Sequence, residues 1–164
     1  MEAEGLKNIV LVRVDDRLVH GQVMTSWSKA TNANKFMVID DEVASNDLMK
    51  TVLKGVIPAN IKLGIFTVEK AADRLIKGFK SDDRVIILVK TPVTIQKFLG
   101  YGIQFNQLNI GGIGTRADRE TLWRNIAVTK EEKEAIKELI SSGTDVFIQI
   151  TADDAKVDVA KLVS

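Results

Sequence analysis

The sequence predicts an α/β domain: a mostly parallel open sheet of about six or seven strands with helices on both faces. Three observations carry this expectation. Short β-rich runs alternate with helical patterns, the order that right-handed βαβ units produce. Most of the strand runs are near-continuously apolar, as strands covered on both faces must be. The helical patterns between them open and close on recognisable capping residues. The 164 residues suit one domain, 1–164, which can bury roughly 70% of its unfolded surface without a disulfide or metal.

Taken in order, strands are expected at Ile9–Val14, Lys35–Ile39, Ile61–Phe66, Val85–Val89, Gln107–Ile110 and Val146–Ile150. A first helix should begin near Gly21 or Gln22 and bury Val23, Trp27 and Ala30. Ser45 is the expected cap of a helix carrying Leu48, Met49, Val52 and Leu53, stopped by Gly55. Thr67 and Gly78 bracket another helix, and Thr91-Pro92 with Gly100 a third. Thr129 and Glu132 form a capping box ahead of Ile136, Leu139 and Ile140, with Gly143 as the stop. Ala155–Val163 reads as a short terminal helix. Gly111–Ala127 reads as a loop with one further strand near Asn125–Val128.

Composition removes whole classes of function. Cysteine is absent, which excludes thiolate nucleophiles, zinc–thiolate sites and disulfides and agrees with a cytoplasmic location. Lys plus Arg is 23 and Asp plus Glu is 22, and neither half of the chain is a basic footprint, so no nucleic-acid partner is expected. The longest apolar runs are far too short to span a bilayer, and Met1–Gly5 is acidic, unlike a signal peptide. P-loop, dinucleotide-binding and nucleophile-elbow fingerprints are missing. With one histidine and no cysteine, no metal or organic cofactor is expected.

That histidine, His20, lies in Arg13-Val-Asp-Asp-Arg-Leu-Val-His-Gly-Gln22, between the first strand and the first helix. In open α/β sheets the functional crevice lies outside the carboxyl ends of the strands. This rule selects Asp15–Gly21, Asp40–Ser45, Thr67–Glu69, Lys90–Pro92 and Gly111–Arg116. His20 sits just before a helix N-terminus, which favours an anion. Arg13 and Arg17 flank it in sequence and suit phosphate oxygens, while Asp15 or Asp16 can orient a ring nitrogen or hold an arginine. A phosphoryl group on a neutral imidazole is the chemistry this set allows. A hydrogen-bonded structural histidine is the plainer alternative. Gly111-Gly112-Ile-Gly114 can offer backbone N–H groups to an anion or be an ordinary turn. Arg116, Arg119 and Arg124 read as solvated charges, and Trp27 and Trp123 as packing residues.

The segment Arg13–Val23 resembles the active-site loop of IIB subunits in the mannose/fructose/sorbose family of the bacterial phosphoenolpyruvate:sugar phosphotransferase system. Val38-Ile-Asp-Asp-Glu-Val-Ala44 is similar to the family's second strand and following loop, and Lys90-Thr-Pro92 to a strand end and helix start. Asn109-Ile-Gly-Gly112 resembles its Asn-x-Gly-Gly turn, and Ile126–Lys130 the approach to the penultimate helix. Ile113 stands where family members usually have methionine, and Met1–Gly5 reads as an N-terminal extension. The resemblance implies a phosphotransferase in which His20 is transiently phosphorylated and Arg17 stabilises the phosphate. Arg13, Asp15, Gly21, Gly111 and Gly112 would support them. It further implies a IIA phosphoryl donor, IIC and IID membrane partners, a sugar acceptor and a peripheral place at the transporter. A regulatory module of the same fold, binding a phosphorylated ligand without covalent chemistry, is the alternative.

Overall fold

The computed structural model describes residues 2–164, apart from the side chains of Gln22 and Val23, so the expected burial of Val23 lies outside the description. Strand β1 (Ile9–Asp15) leads into helix α1 (Gly21–Thr31) and strand β2 (Lys35–Ile39). The short α2 (Asp41–Ala44) and α3 (Asp47–Gly55) precede β3 (Lys62–Phe66). Next come α4 (Val68–Lys77), β4 (Val85–Val89) and α5 (Pro92–Gln96), which runs into a 3-10 turn at Lys97–Tyr101. Strand β5 (Gln107–Gly112) is followed by a hairpin, β6 (Glu120–Trp123) and β7 (Ile126–Val128). Helix α6 (Lys130–Ser141), β8 (Asp145–Ile148), β9 (Val157–Asp158) and α7 (Ala160–Val163) complete the chain.

Seven strands pair in the order β3-β2-β4-β1-β5-β8-β9, and only the last pair is antiparallel. The expected sheet is therefore the observed one. Alternation along β4 explains its unbroken apolar run. Val85, Ile87 and Val89 enter one core with α4, α5, α6 and α7, while Ile86 and Leu88 enter the other with α1, α2 and α3. Because β1 is central, with β4 on one side and β5 on the other, the loop after it opens between the two halves of the sheet. That is where His20 lies.

Five local expectations are corrected. Asn46, not Ser45, caps α3, accepting from the Met49 N–H at 3.1 Å. Ser45 instead closes α2, its hydroxyl donating to the Asp41 and Glu42 carbonyls. Ala30 is exposed, and α1 buries Met24, Trp27 and Ser28. Gly100 lies inside the 3-10 turn, and Gly102, in the left-handed region at φ 74°, is the stop. The terminal segment is not all helix, because Val157–Asp158 completes the sheet edge against β8. The hairpin partner β6 also arises within the segment read as a loop.

Asn46→Ala should lower the free energy of unfolding by about 1 kcal/mol, the usual worth of an N-cap. Ser45→Ala should stay within about 0.5 kcal/mol of the parent, as exposed positions do. Urea denaturation of the two variants checks the pair, and the reverse ranking would restore Ser45 as the cap.

Candidate functional site

The site is built on the last residues of β1. Arg13 and Asp15 point to the same face of the sheet, two residues apart, and both are fully buried. Arg13 does not reach the crevice. Its Nη1 donates to Asn109 Oδ1 at 2.6 Å and to the Gln149 carbonyl at 3.0 Å, and its Nη2 donates to the Ile150 carbonyl at 2.9 Å. The guanidinium lies 5.3 Å from the Trp27 ring centroid, and the Trp27 indole N–H donates to the same Ile150 carbonyl. Burial pushes the Arg13 pKa down to about 10 against the opposing pull of Asp15, which still leaves a cation at neutral pH. The expectation that Arg13 flanks the histidine is thus corrected: it is a buried support beneath Asp15.

Asp15 carries the charge upward. Its Oδ2 lies 3.6 Å from Arg13 Nη2 and 2.8 Å from His20 Nε2. Its Oδ1 accepts from the Arg17 backbone N–H at 3.1 Å and lies 3.5 Å from Arg17 Nε. One carboxylate therefore orients the ring and holds an arginine, the two tasks the sequence allowed it. His20 is the residue before α1, and its side chain is one-fifth exposed. With Nε2 engaged by a carboxylate, the neutral ring carries its proton there and leaves Nδ1 as the basic nitrogen. No hydrogen bond to Nδ1 is made by the described residues. Arg17 is 64% exposed, so its guanidinium faces solvent at the mouth of the crevice.

Between Asp15 and His20 the chain turns sharply. The Leu18 N–H donates to the Asp15 carbonyl, and Leu18 sits at φ 58°, a conformation unfavourable for a branched residue. Its side chain is buried with Val19 in the core beside α1, which holds the turn in place. Gly21, at φ 46°, then starts the helix where another residue would be strained.

The glycines of the second motif act by making room. Asn109-Ile-Gly-Gly112 is part of β5, not a turn. A Cβ on Gly111 would fall on the Arg13 guanidinium, and one on Gly112 would press on the Asp15 carboxylate at 3.1–3.2 Å. The N–H of Gly114 donates to Asp16 Oδ2 at 2.9 Å, so it is not open to an outside anion. Ile113, at the position where methionine is usual, is buried in the core.

A cleft of about 1000 Å³ opens at the carboxyl ends of the strands, lined by Asp16, Arg17, Asp40, Lys90, Thr91 and Arg119, among others. Four of the five loops chosen by topology contribute to it; Thr67–Glu69 does not, and the start of α6 takes its place. His20 itself is not in the lining: its loop enters the cleft through Asp16 and Arg17. A hollow of about 490 Å³ lies at the opposite end, between β1 and β5.

A family model described as the sorbose subfamily IIB component of the PTS system matches residues 9–164. The chain belongs to that family. It is a phosphotransferase component of the sugar phosphotransferase system, as the resemblance implied. The sorbose-specific EIIB component of Klebsiella pneumoniae is 30% identical over 151 residues, which are 92% of each chain. The mannose-specific EIIAB component of Escherichia coli is 30% identical over 156 residues, 95% of this chain, which spans about half (48%) of that longer protein. The crystal structure of the IIBSor domain of the Klebsiella pneumoniae sorbose permease superposes with a TM-score of 0.87 at 29% identity, covering 95% of this IIB chain and 96% of that one.

In this IIB component Arg119 departs from the solvated charge expected of it. The residue is not solvated: its side chain is 8% exposed, paired with Glu132 and close to Asp16. Arg116 does read correctly as exposed, paired with Asp118. The signal available for Arg119 was its distance of thirteen residues from the capping-box Glu132, which no local pattern connects.

Gly111→Ala should destabilise the fold by about 3 kcal/mol or more, because the methyl group displaces a buried cation from the three acceptors that hold its Nη1 and Nη2. Gly55→Ala, where no atom lies within 4 Å of the new Cβ, should be neutral or stabilising by about 0.5–1 kcal/mol. Chemical denaturation of both variants decides whether the motif glycine serves Arg13.

Proposed function

We propose that this chain accepts a phosphoryl group from a phosphohistidine of a IIA domain onto Nδ1 of His20. It then passes the group to a sugar presented by IIC and IID membrane subunits, working at the cytoplasmic face of the membrane. The observation that carries the reading is the 2.8 Å contact between His20 Nε2 and the buried Asp15 carboxylate, which leaves the other nitrogen as the nucleophile. In the first step the donor's N–P bond breaks and its electron pair returns to the donor ring. The new bond forms at Nδ1 while the Nε2 proton stays on Asp15's hydrogen bond. The cationic character that phosphorylation gives the ring is thereby met by a carboxylate already in place. In transfer to a sugar hydroxyl the N–P bond at Nδ1 breaks with its electron pair returning to the ring, the sugar oxygen bonds to phosphorus, and the hydroxyl proton passes to water or to a base on the membrane subunits.

Such transfers pass through a loose transition state with charge on the phosphoryl oxygens, so positioning and cationic donors do most of the catalysis. Arg17 suits that role. It is exposed, tethered through its backbone to Asp15 and lines the cleft. The N-terminal end of α1 adds a favourable dipole for the anion. No metal or organic cofactor is needed for this step. The sorbose, mannose and fructose specificities in the relatives' names indicate a sugar of that kind as the acceptor.

Incubation with enzyme I, HPr, a IIA domain and phosphoenolpyruvate should add one acid-labile phosphate, read by intact mass. His20→Ala should remain folded and unmodified. A wild-type chain that stays unmodified would leave a phospholigand-binding module, and a phosphorylated His20→Ala would move the acceptor elsewhere.

Arg17→Gln should slow single-turnover transfer by about 10- to 150-fold, if a charged hydrogen bond worth roughly 1.5–3 kcal/mol is strongest in the transition state. Arg17→Lys should recover part of the loss, keeping the charge without the planar fork. Wild-type rates for Arg17→Gln in both transfer directions would make it a surface charge.

A further inference from the structure

We propose that Arg119 is a positioning residue for phosphoryl transfer: it engages Asp16 so that Asp16 does not neutralise Arg17. This rests on the role proposed for Arg17 above. The observations are a set of contacts joining four segments of the chain. Arg119 Nε donates to Glu132 Oε1 at 3.1 Å, and Nη1 donates to the Gly114 carbonyl at 3.0 Å. The same Nη1 lies 3.5 Å from Asp16 Oδ2. Glu132 Oε1 also accepts from the Thr129 N–H, and its Oε2 accepts from the Thr91 hydroxyl at 2.8 Å. The active-site loop, the β5–β6 connection, the start of α6 and the start of α5 therefore meet on one guanidinium and its counter-ion.

Both members of the Arg119–Glu132 pair are more than nine-tenths hidden, at 8% and 6% exposure. Hiding a guanidinium and a carboxylate costs several kcal/mol of solvation, which apolar packing at the same place would avoid. Stability alone is a poor reason for the pair. Its geometry supplies another. Asp16 is the residue next to Arg17, lines the same cleft and carries a carboxylate that is only 30% exposed. Unheld, that carboxylate would be a second partner for the Arg17 guanidinium, beside the buried Asp15 that already lies 3.5 Å from Nε. The Gly114 N–H and Arg119 turn it toward the β5–β6 connection instead. On the other side of the turn, Asp15 holds the Arg17 backbone N–H and lies 3.5 Å from Arg17 Nε. Asp15 thus meets one edge of the guanidinium, and with Asp16 turned away the rest of it, on a side chain 64% exposed, faces the cleft and a phosphoryl group there.

The test is single-turnover transfer from phosphorylated IIA to this chain, with rate, amplitude and donor half-saturation recorded separately. Arg119→Gln should slow transfer at saturating donor about tenfold, within the range expected when a catalytic group is displaced by about 1 Å. The half-saturating donor concentration and the final amplitude should not change. Adding Asp16→Asn to Arg119→Gln should restore most of the rate, because the freed carboxylate is then gone. A purely structural Arg119 would lower the amplitude, and the second substitution would restore nothing. Either result overturns the proposal, as does a wild-type rate for Arg119→Gln. Should Arg119→Gln not fold, Arg119→Gln/Glu132→Gln leaves no lone buried charge and should show the same slowing and the same recovery with Asp16→Asn. A wild-type chain that takes up no phosphate would instead sink the phosphocarrier reading itself.

Discussion

The carboxylate of Asp15 is the point on which the rest of the site depends. It is wholly buried, and a buried charge persists only when its oxygens are met by cations and donors. Arg13 approaches it from beneath, the Arg17 N–H and guanidinium from one side and the His20 ring from above. Arg13 in turn is held by Asn109, by the Gln149 and Ile150 carbonyls and by the face of Trp27. Gly111 is vacant of a side chain so that the guanidinium can lie across β5 and reach the carbonyls after β8. His20 thus stands on a column of polar contacts that runs down into the centre of the sheet.

This column accounts for the division of labour between two arginines only four residues apart. Arg13, on the strand, has every reason to be buried and nothing to offer a ligand. Arg17, beyond the turn, is 64% exposed, and its backbone is tethered to the same carboxylate. The Asp16 side chain leaves the turn in the opposite direction, toward Gly114 and Arg119. Neighbouring acidic residues in one turn therefore face opposite sides, one the histidine and the other the β5–β6 connection.

What was legible beforehand follows from the range of the forces. Strand runs and helix caps are local, so β1, β2, β4 and the Thr129–Glu132 box were readable from a few residues each. The choice between Ser45 and Asn46 was not, because both are capping types and the short α2 before them has no periodicity to mark its end. Asp15's place beside His20 was foreseeable, since the two lie five positions apart within one turn. The burial of Arg13 was not, for its partner Asn109 lies 96 positions away and the pattern gives no sign of register between strands. The same holds for Arg119, where three arginines in a glycine-rich stretch carry no local mark of which one is hidden.

The central claim is that Asp15, by occupying Nε2, decides which nitrogen of His20 receives the phosphoryl group. Because His20 is the only histidine, protein labelled with 15N-histidine gives one pair of ring-nitrogen signals free of overlap. Nitrogen-detected spectra before and after phosphorylation, with 31P coupling resolved, read the answer directly. The account predicts phosphorus coupling at Nδ1 and a protonated Nε2 throughout. Phosphorus coupling at Nε2 would contradict it.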